Sequence, residues 1–69
     1  MTFSYQKLWK ILEEKNMVRE DLRIKTGMSS ATMAKLGRNH LVSMEILGKI
    51  CQVLNCDIAD IVEYVGDKA

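Results

Sequence analysis

Apolar residues recur along this chain with the spacing of amphipathic α-helices. In the first segment they occupy positions i, i+3, i+4 and i+7, which lie on one face of a helix. These residues are Tyr5, Leu8, Trp9 and Leu12. The spacing predicts a first helix from about Tyr5 to Lys15, with Trp9 in the core. Asn16 suits the exit from this helix because asparagine tolerates a left-handed backbone.

Two short helices are predicted next. The first runs from about Arg19 to Thr26, with Leu22 directed inward, and Gly27 ends it. The following helix starts after Ser29, whose hydroxyl can accept a hydrogen bond from a backbone N–H, and ends near Gly37.

Ser43 is predicted to cap a fourth helix that carries a wide apolar stripe. The stripe consists of Ile46, Leu47, Ile50, Val53 and Leu54. Gly48 in the interior of this helix costs roughly 1 kcal/mol relative to alanine. We therefore expect Gly48 to pack closely against another backbone.

The last element begins at Asp57. Its apolar residues keep the helical spacing and predict a fifth helix. They are Ile58, Ile61, Val62 and Val65. The segments Thr2 to Tyr5 and Ile61 to Val65 are also rich in β-branched and aromatic residues, so a short ribbon between the two ends is the alternative. The predicted fold class is all-α with five helices, with short terminal strands as a variant.

The overall composition limits the possible functions. A chain of 69 residues, 48% of them hydrophobic, is expected to form a single domain, residues 1–69, with one core. No apolar run approaches the roughly 20 residues of a membrane span, and charged residues interrupt the first segment, so we expect a cytoplasmic protein without a membrane partner. Cys51 and Cys56, with His40 as the sole histidine, are too few for a metal site of about four ligands. We expect Cys51 in the core, Cys56 as a reduced thiol, and no cofactor or small-molecule ligand.

Charge is distributed unevenly, although the net charge is only +1. Residues 1–42 contain eight Lys and Arg against four Asp and Glu, whereas residues 43–69 contain two against five. The excess of positive charge lies in the half of the chain that contains the two short helices, which favours contact with nucleic acid. A solvated helix face is the simpler explanation for Lys7, Lys10 and Lys15.

The two short helices have the pattern of a helix-turn-helix over residues 19–37. Such helices cross steeply, so the turn needs a residue that tolerates positive φ, and Gly27 supplies it. Apolar anchors are needed on one side of both helices. The candidates are Leu22, Met28, Met33 and Leu36.

With Met33 and Leu36 buried, a rotation of 100° per residue places the small and basic residues of the second short helix on the opposite side. These are Ala31, Ala34, Lys35 and Arg38, with Ser30 near the helix start. Small side chains allow close approach to the major groove, and Lys can donate to guanine. An ordinary amphipathic helix has a similar outer face; the turn and the flanking helices together favour DNA binding.

The chain resembles the Cro and lambda-repressor type of helix-turn-helix protein (the XRE family), especially its short single-domain bacterial members. The resemblance rests on YQKLWKILEEKNM, REDLRIKTGMSSATMAKLGR and SMEILGKICQVLNCDIADIVEYV, which cover nearly the whole chain in the family's order. It implies a five-helix fold that binds double-stranded DNA, usually as a homodimer, in transcriptional control, with repression as the expected role.

The resemblance also implies roles for individual residues. The positions that usually reach base edges are Ser30, Ala31 and Lys35. Arg19 occupies a position that often touches phosphate or a base. Those that commonly hold the sugar-phosphate backbone are Thr32, Arg38 and Asn39.

Three positions depart from the family pattern. Val18 stands where a capping Thr or Ser is usual, Arg23 where Ala lies at the helix crossing, and Thr26 where an apolar residue is common. Arg23 must therefore point outward or lay its stem across the crossing. Because Ser30 and Ala31 are short, we expect modest direct readout and more dependence on phosphates and DNA shape.

The main alternative is a protein-interaction module of the same fold, an antitoxin-like or scaffold partner with weak or absent DNA binding. The low net charge and the apolar residues after Asp57 favour this alternative. An enzyme is rejected, because the sequence lacks a nucleophile–histidine set, a glycine-rich phosphate loop and a metal cluster.

Overall fold

The computed structural model describes residues 3–66, which form four α-helices, one 3-10 turn and one two-stranded sheet. In chain order the elements are β1 (Phe3–Ser4), α1 (Gln6–Glu14), α2 (Arg19–Thr26), α3 (Ser30–Gly37), α4 (Met44–Leu54), a 3-10 turn (Ile58–Asp60) and β2 (Glu63–Tyr64). None of the helices within this range is long and apolar enough to cross a membrane.

Local sequence signals place the first four helices correctly. Asn16, directly after the C-cap residue of α1, has a φ of 56°, the left-handed conformation expected at a helix exit. The Ser29 hydroxyl accepts a hydrogen bond from the Thr32 N–H at 3.1 Å at the start of α3. The Ser43 hydroxyl accepts one from the Ile46 N–H at 3.2 Å at the start of α4.

The predicted fifth helix is wrong. Asp57 does begin an element, because its carboxylate accepts a hydrogen bond from the Ile58 N–H at 2.7 Å, but that element is a single 3-10 turn. The chain then becomes β2, which pairs antiparallel with β1 in the register Phe3–Tyr64 and Ser4–Glu63. The rings of Phe3 and Tyr64 meet edge to face with their centroids 5.4 Å apart. The ribbon is therefore the form that the two ends take, although Thr2 lies outside the described residues.

The core lies where α1, α2, α3 and α4 meet. Its buried apolar residues are Tyr5, Leu8, Leu12, Leu22, Met28, Leu36, Leu47, Ile50, Leu54 and Ile61. Met33, which we expected to be buried, is half-buried and packs against this cluster. The expectation for Gly48 is wrong, because a Cβ at this position would meet no atom within 4 Å.

The start of α2 is capped without a side chain from its N-cap residue. Val18 is extended, with φ of −96° and ψ of 165°, and has no polar side chain to offer. Instead, the carboxylate of Asp21 accepts a hydrogen bond from the Val18 N–H at 3.1 Å. This is one half of a capping box; the other half is missing because Val18 has no hydroxyl, and the Asp21 N–H donates to the Val18 backbone carbonyl at 3.0 Å instead.

The turn between α2 and α3 depends on the backbone conformation of Gly27. Its φ is 75°, in the left-handed region, where a side chain is disfavoured by its own backbone. A Cβ at Gly27 would meet no atom within 4 Å. Glycine is therefore required here for its conformation and not for space.

We expect Val18→Thr to stabilise the fold by about 0.5–1 kcal/mol, because the hydroxyl would complete the capping box with little change in shape. Val18 is 63% exposed, so little apolar burial is lost. Urea denaturation measures the change. The control is Ile24→Thr, at a residue 64% exposed in the interior of α2, where a hydroxyl does not act as an N-cap. Equal effects of the two substitutions would contradict the capping explanation.

We expect Gly27→Ala to destabilise the fold by about 1–2 kcal/mol through backbone strain alone. Gly27→Asn should cost less, since asparagine already adopts positive φ at residues 16, 39 and 55. Thermal unfolding of the two variants gives the comparison. An alanine variant as stable as the asparagine variant would contradict the conformational argument.

Candidate nucleic-acid interface

Helices α2 and α3 form a helix-turn-helix whose crossing is fixed by burial on one side. Leu22 from α2 and Leu36 from α3 are completely buried, and Met28 from the turn is 4% exposed. The left-handed Gly27 and the Ser29 cap separate the two helices within a few residues. Because the apolar anchors lie behind α3, the opposite side of this helix is free to meet a ligand.

Two of the departures from the family pattern have a structural explanation. Thr26 is 7% exposed, yet its hydroxyl donates to the Leu22 carbonyl at 2.8 Å, so burial leaves no polar atom unsatisfied. Arg23 points outward, where its Nε donates to a Glu20 carboxylate oxygen at 2.9 Å. This hydrogen bond holds the pKa of the Glu20 carboxyl below its ordinary value. The guanidinium also donates a hydrogen bond to the Met28 carbonyl at 3.5 Å, which links α2 to the turn that follows it.

The outward face of α3 carries the three residues predicted to meet bases. Ser30, Ala31 and Lys35 are all exposed, as is Ala34 beside them. Ser30 is the first residue of the helix, and Lys35 lies in its last turn. Within residues 3–66 no hydrogen bond or ion pair engages the Lys35 ammonium group, which leaves it able to donate to a ligand.

Thr32 and Arg38 lie at the two ends of α3. Thr32 is half-buried, and its hydroxyl is 3.1 Å from the Ser29 hydroxyl, so it belongs to the helix cap as well as to the surface. Arg38 is exposed and directly follows the helix. Of these two residues, Arg38 has the longer reach and the permanent charge that a phosphate needs.

Asn39 has a structural role that the sequence did not indicate. Its side-chain oxygen accepts a hydrogen bond from the Tyr5 N–H at 3.1 Å, and the Tyr5 hydroxyl donates to the His40 carbonyl at 2.8 Å. Burial raises the pKa of the Tyr5 hydroxyl above its ordinary value, more than the backbone of Val42 lowers it. The segment after α3 is therefore tied to the start of α1 at two points.

Arg19 is held by residues from two other helices. Its guanidinium carbon lies 3.8 Å from the centre of the Trp9 ring, within range of a cation–π interaction. On α3, a Cβ built on Gly37 would lie 3.2 Å from the Arg19 Nη1 atom. Trp9 is half-buried: its ring packs against the core and also stacks with the Arg19 guanidinium.

Sequence reasoning missed the partners of Arg19. The apolar spacing predicts Trp9 only as a core residue and Gly37 only as the end of a helix. An aromatic residue ten positions before a basic one is no signal by itself, because helix packing decides whether the two meet. The structure thus adds Trp9 and Gly37 to the residues that shape this surface.

The exposed groups on this surface are mainly cationic and hydroxyl groups. Both cysteines are free thiols and half-buried. Burial and the neighbouring Cys51 raise the pKa of the Cys56 thiol, which disfavours the nucleophilic thiolate. Among the described residues, no three metal-ligating side chains come together. The arrangement is suited to binding an anionic polymer.

Comparisons with known proteins agree with this geometry. The family model for the Cro/C1-type helix-turn-helix DNA-binding domain matches residues 7–67. The crystal structure of the transcriptional regulator VanUg (form II) is similar, with a TM-score of 0.93 and 45% sequence identity over 96% of this chain and 88% of that one. Among curated proteins, none matches the chain significantly. The chain belongs to the Cro/C1-type helix-turn-helix family of DNA-binding domains.

Proposed function

We propose that this protein is a transcriptional regulator that binds a specific sequence of double-stranded DNA by inserting α3 into the major groove. The observation that carries the proposal is the outward face of α3, which is small, hydroxylated and basic, above a turn fixed by buried anchors. A helix of this kind can approach base edges closely without losing its orientation. Residues 1–69 act as one binding unit in this proposal, without catalysis or a cofactor.

In the proposed complex, two groups of residues have different tasks. Ser30, Ala31 and Lys35 face the bases: the Ala31 methyl suits a thymine methyl, and the Lys35 ammonium suits the O6 and N7 atoms of guanine. The groups for the sugar-phosphate backbone are supplied by Arg19, Thr32, Arg38 and Asn39. The side-chain amide nitrogen of Asn39 is the group assigned to phosphate, since its oxygen accepts from Tyr5.

The role in transcription follows by similarity to VanUg, whose description as a transcriptional regulator supports the same general role here. We infer a homodimer on a near-palindromic operator, because two copies of α3 would then contact two half-sites and double the number of base pairs read. The half-sites of such an operator lie one helical turn apart, about 34 Å. We further infer repression, since a bound dimer blocks the polymerase by exclusion alone. Such a regulator acts in the cytoplasm, where bacterial DNA lies.

A protein-interaction module is the second candidate. The observation in its favour is the exposure of large apolar side chains, with Leu41 60%, Met44 68% and Tyr64 63% exposed. The salt dependence of DNA binding separates the two candidates. A regulator loses affinity with a slope of about −0.9 in log K against log salt for each phosphate contact. If no affinity for duplex DNA can be measured even at low salt, the result supports the protein-interaction module and contradicts the DNA-binding regulator.

We expect Lys35→Ala and Arg38→Ala both to weaken binding to the selected operator, but in different ways. Loss of a base contact at Lys35 should cost about 1–3 kcal/mol on the preferred site and change the preferred sequence. Loss of a phosphate contact at Arg38 should weaken all sequences alike and reduce the salt slope by about 1. Selection of bound sites from random DNA, followed by titrations at several salt concentrations, measures both effects.

A suitable control for this pair is Lys25→Ala, which removes an equal charge from the exposed surface of α2. It should leave the selected sequence unchanged. An unaltered site preference in the Lys35 variant would remove this residue from the base-reading set.

We expect Trp9 to act on DNA binding through Arg19. Replacement of Trp9 by Leu removes the cation–π contact, so Arg19 gains freedom that must be lost again on binding. The affinity should fall by about 1 kcal/mol in the wild-type background and by much less in an Arg19→Ala background. A double-mutant cycle measured by fluorescence anisotropy gives the coupling. Equal losses in the two backgrounds would mean that Trp9 acts only on stability.

A further inference from the structure

The C-terminal end of α4 brings together two cysteines that have no part in the proposed DNA contact. Cys51 lies in the last turn of this helix, and Cys56 is the second residue after it. Asn55 between them is left-handed, with a φ of 55°, and the Cys56 N–H donates to the Cys51 carbonyl at 3.1 Å. A left-handed residue followed by this hydrogen bond defines a Schellman motif, in which the side chains of the two bonded residues commonly touch.

The backbone places the two thiols within range of a covalent bond. With the hydrogen bond at 3.1 Å, the bond lengths of the peptide units limit the separation of the two Cα atoms to about 7 Å. A disulfide joins Cα atoms about 4.4–6.8 Å apart. Burial raises the pKa of the Cys56 thiol, and the neighbouring Cys51 raises it further, in part through a hydrogen bond between the two side chains. The thiols therefore meet in the folded chain.

The pair is also accessible to a small reagent. Both cysteines are half-buried. Cys56 lines a groove of about 480 Å³ between α1 and the end of α4, which we call the cysteine groove. Three ammonium groups and two carboxylates surround it, from Lys7, Lys10, Lys15, Glu14 and Asp60. The excess of positive charge favours the approach of a negatively charged reagent.

We propose that Cys51 and Cys56 form a thiol modification site, which a negatively charged disulfide of low molecular weight converts into an intramolecular disulfide. The two residues are five positions apart, so the bond closes a short loop across the Schellman motif. The native fold already holds this loop closed through the backbone hydrogen bond. Oxidation therefore requires little rearrangement of α4 or of the turn that follows it.

The reaction is a pair of thiol–disulfide exchanges. The sulfur of one cysteine, as its thiolate, attacks the small disulfide, whose S–S bond breaks and releases one small thiol. The sulfur of the second cysteine then attacks the mixed disulfide, which forms the Cys51–Cys56 bond and releases a second small thiol. The two cysteines lose two electrons and two protons, and the small disulfide gains them. Because the pKa of the Cys56 thiol is raised, the exchange is slow at neutral pH and has to be followed to equilibrium.

The disulfide would fasten the end of α4 to the segment that leads into β2. Both cysteines pack against the core, and Asp57, which caps the 3-10 turn, comes directly after Cys56. A covalent bond at this point restricts the unfolded chain more than the folded one. The oxidised protein should therefore resist unfolding better than the dithiol form.

The test compares the equilibrium of the full chain with glutathione disulfide in native buffer and in denaturing urea. Mass spectrometry after acid quenching separates the dithiol, the mixed disulfide and the intramolecular disulfide, which is lighter than the dithiol by two hydrogen atoms. The equilibrium constant for the intramolecular disulfide should be at least about tenfold larger in the folded chain, because folding aligns the thiols in advance. By linkage, the oxidised chain is then more stable to urea by the same factor, about 1.4 kcal/mol.

The matched control moves one thiol by a single residue, through Cys51→Ser combined with Gln52→Cys. Gln52 is exposed, and a step of one residue turns the side chain by about 100° around α4. The loop between the thiols stays nearly as long, but their alignment in the folded chain is lost. The ratio between folded and denatured chain should fall to about one or below. Circular dichroism verifies that this variant is folded.

The charge of the reagent is tested separately. Lys10→Gln removes one ammonium group from the cysteine groove. It should slow the exchange with glutathione disulfide about twofold or more at low salt, and leave the exchange with neutral hydroxyethyl disulfide unchanged. Equal slowing with both reagents overturns the preference for a negatively charged one.

Three results overturn the modification site itself. The first is a wild-type ratio between folded and denatured chain of one or less, and the second is a control variant whose ratio equals that of the wild type. The third is a folded wild type that gives only glutathione adducts or disulfides between chains. All these measurements are made without DNA, so they remain decisive whether or not the protein binds an operator.

Discussion

The fixed crossing of α2 and α3 is the constraint on which the rest of this molecule depends. Leu22, Met28 and Leu36 are anchored in one core, and Gly27 turns the chain through a left-handed conformation between them. A recognition helix is useful only if its orientation is set before it meets DNA, since each side chain ordered on binding weakens the complex. The buried anchors set the orientation of α3. The opposite face of the helix, with Ser30, Ala31 and Lys35, therefore stays exposed and is not needed for packing within the chain.

Residues next to α3 are also held in position by contacts with other helices. Tyr5 joins the start of α1 to the segment after α3 through both its N–H and its hydroxyl. The Arg19 guanidinium stacks on the Trp9 ring and lies close to Gly37. These contacts restrict the conformations of a long side chain that would otherwise rotate freely. The absence of a side chain at Gly37 therefore matters for Arg19, and this links the C-terminal end of α3 to the N-terminal end of α2.

The sequence by itself determined the features that rest on neighbouring residues. The spacing of apolar residues defined α1 to α4, because a helix brings residues three and four apart onto one face. The caps at Ser29 and Ser43 and the left-handed exits at Asn16 and Gly27 follow from the type of residue at each position. The helix-turn-helix could thus be predicted, and the family match agrees with it. The exposure of Ser30, Ala31 and Lys35 on the outer side of α3 could be predicted from the same spacing.

Tertiary structure alone decided the features that join distant residues. The spacing of Ile58, Ile61 and Val62 is as compatible with a 3-10 turn and a strand as with a helix. Pairing with Phe3–Ser4, about 60 residues away in the sequence, selects the turn and the strand. The bonds of Asn39 to Tyr5 and of Arg19 to Trp9 likewise exist only once the helices have packed. Local patterns report what a segment can form, whereas long-range contacts select among the possible forms because their free energy depends on both partners.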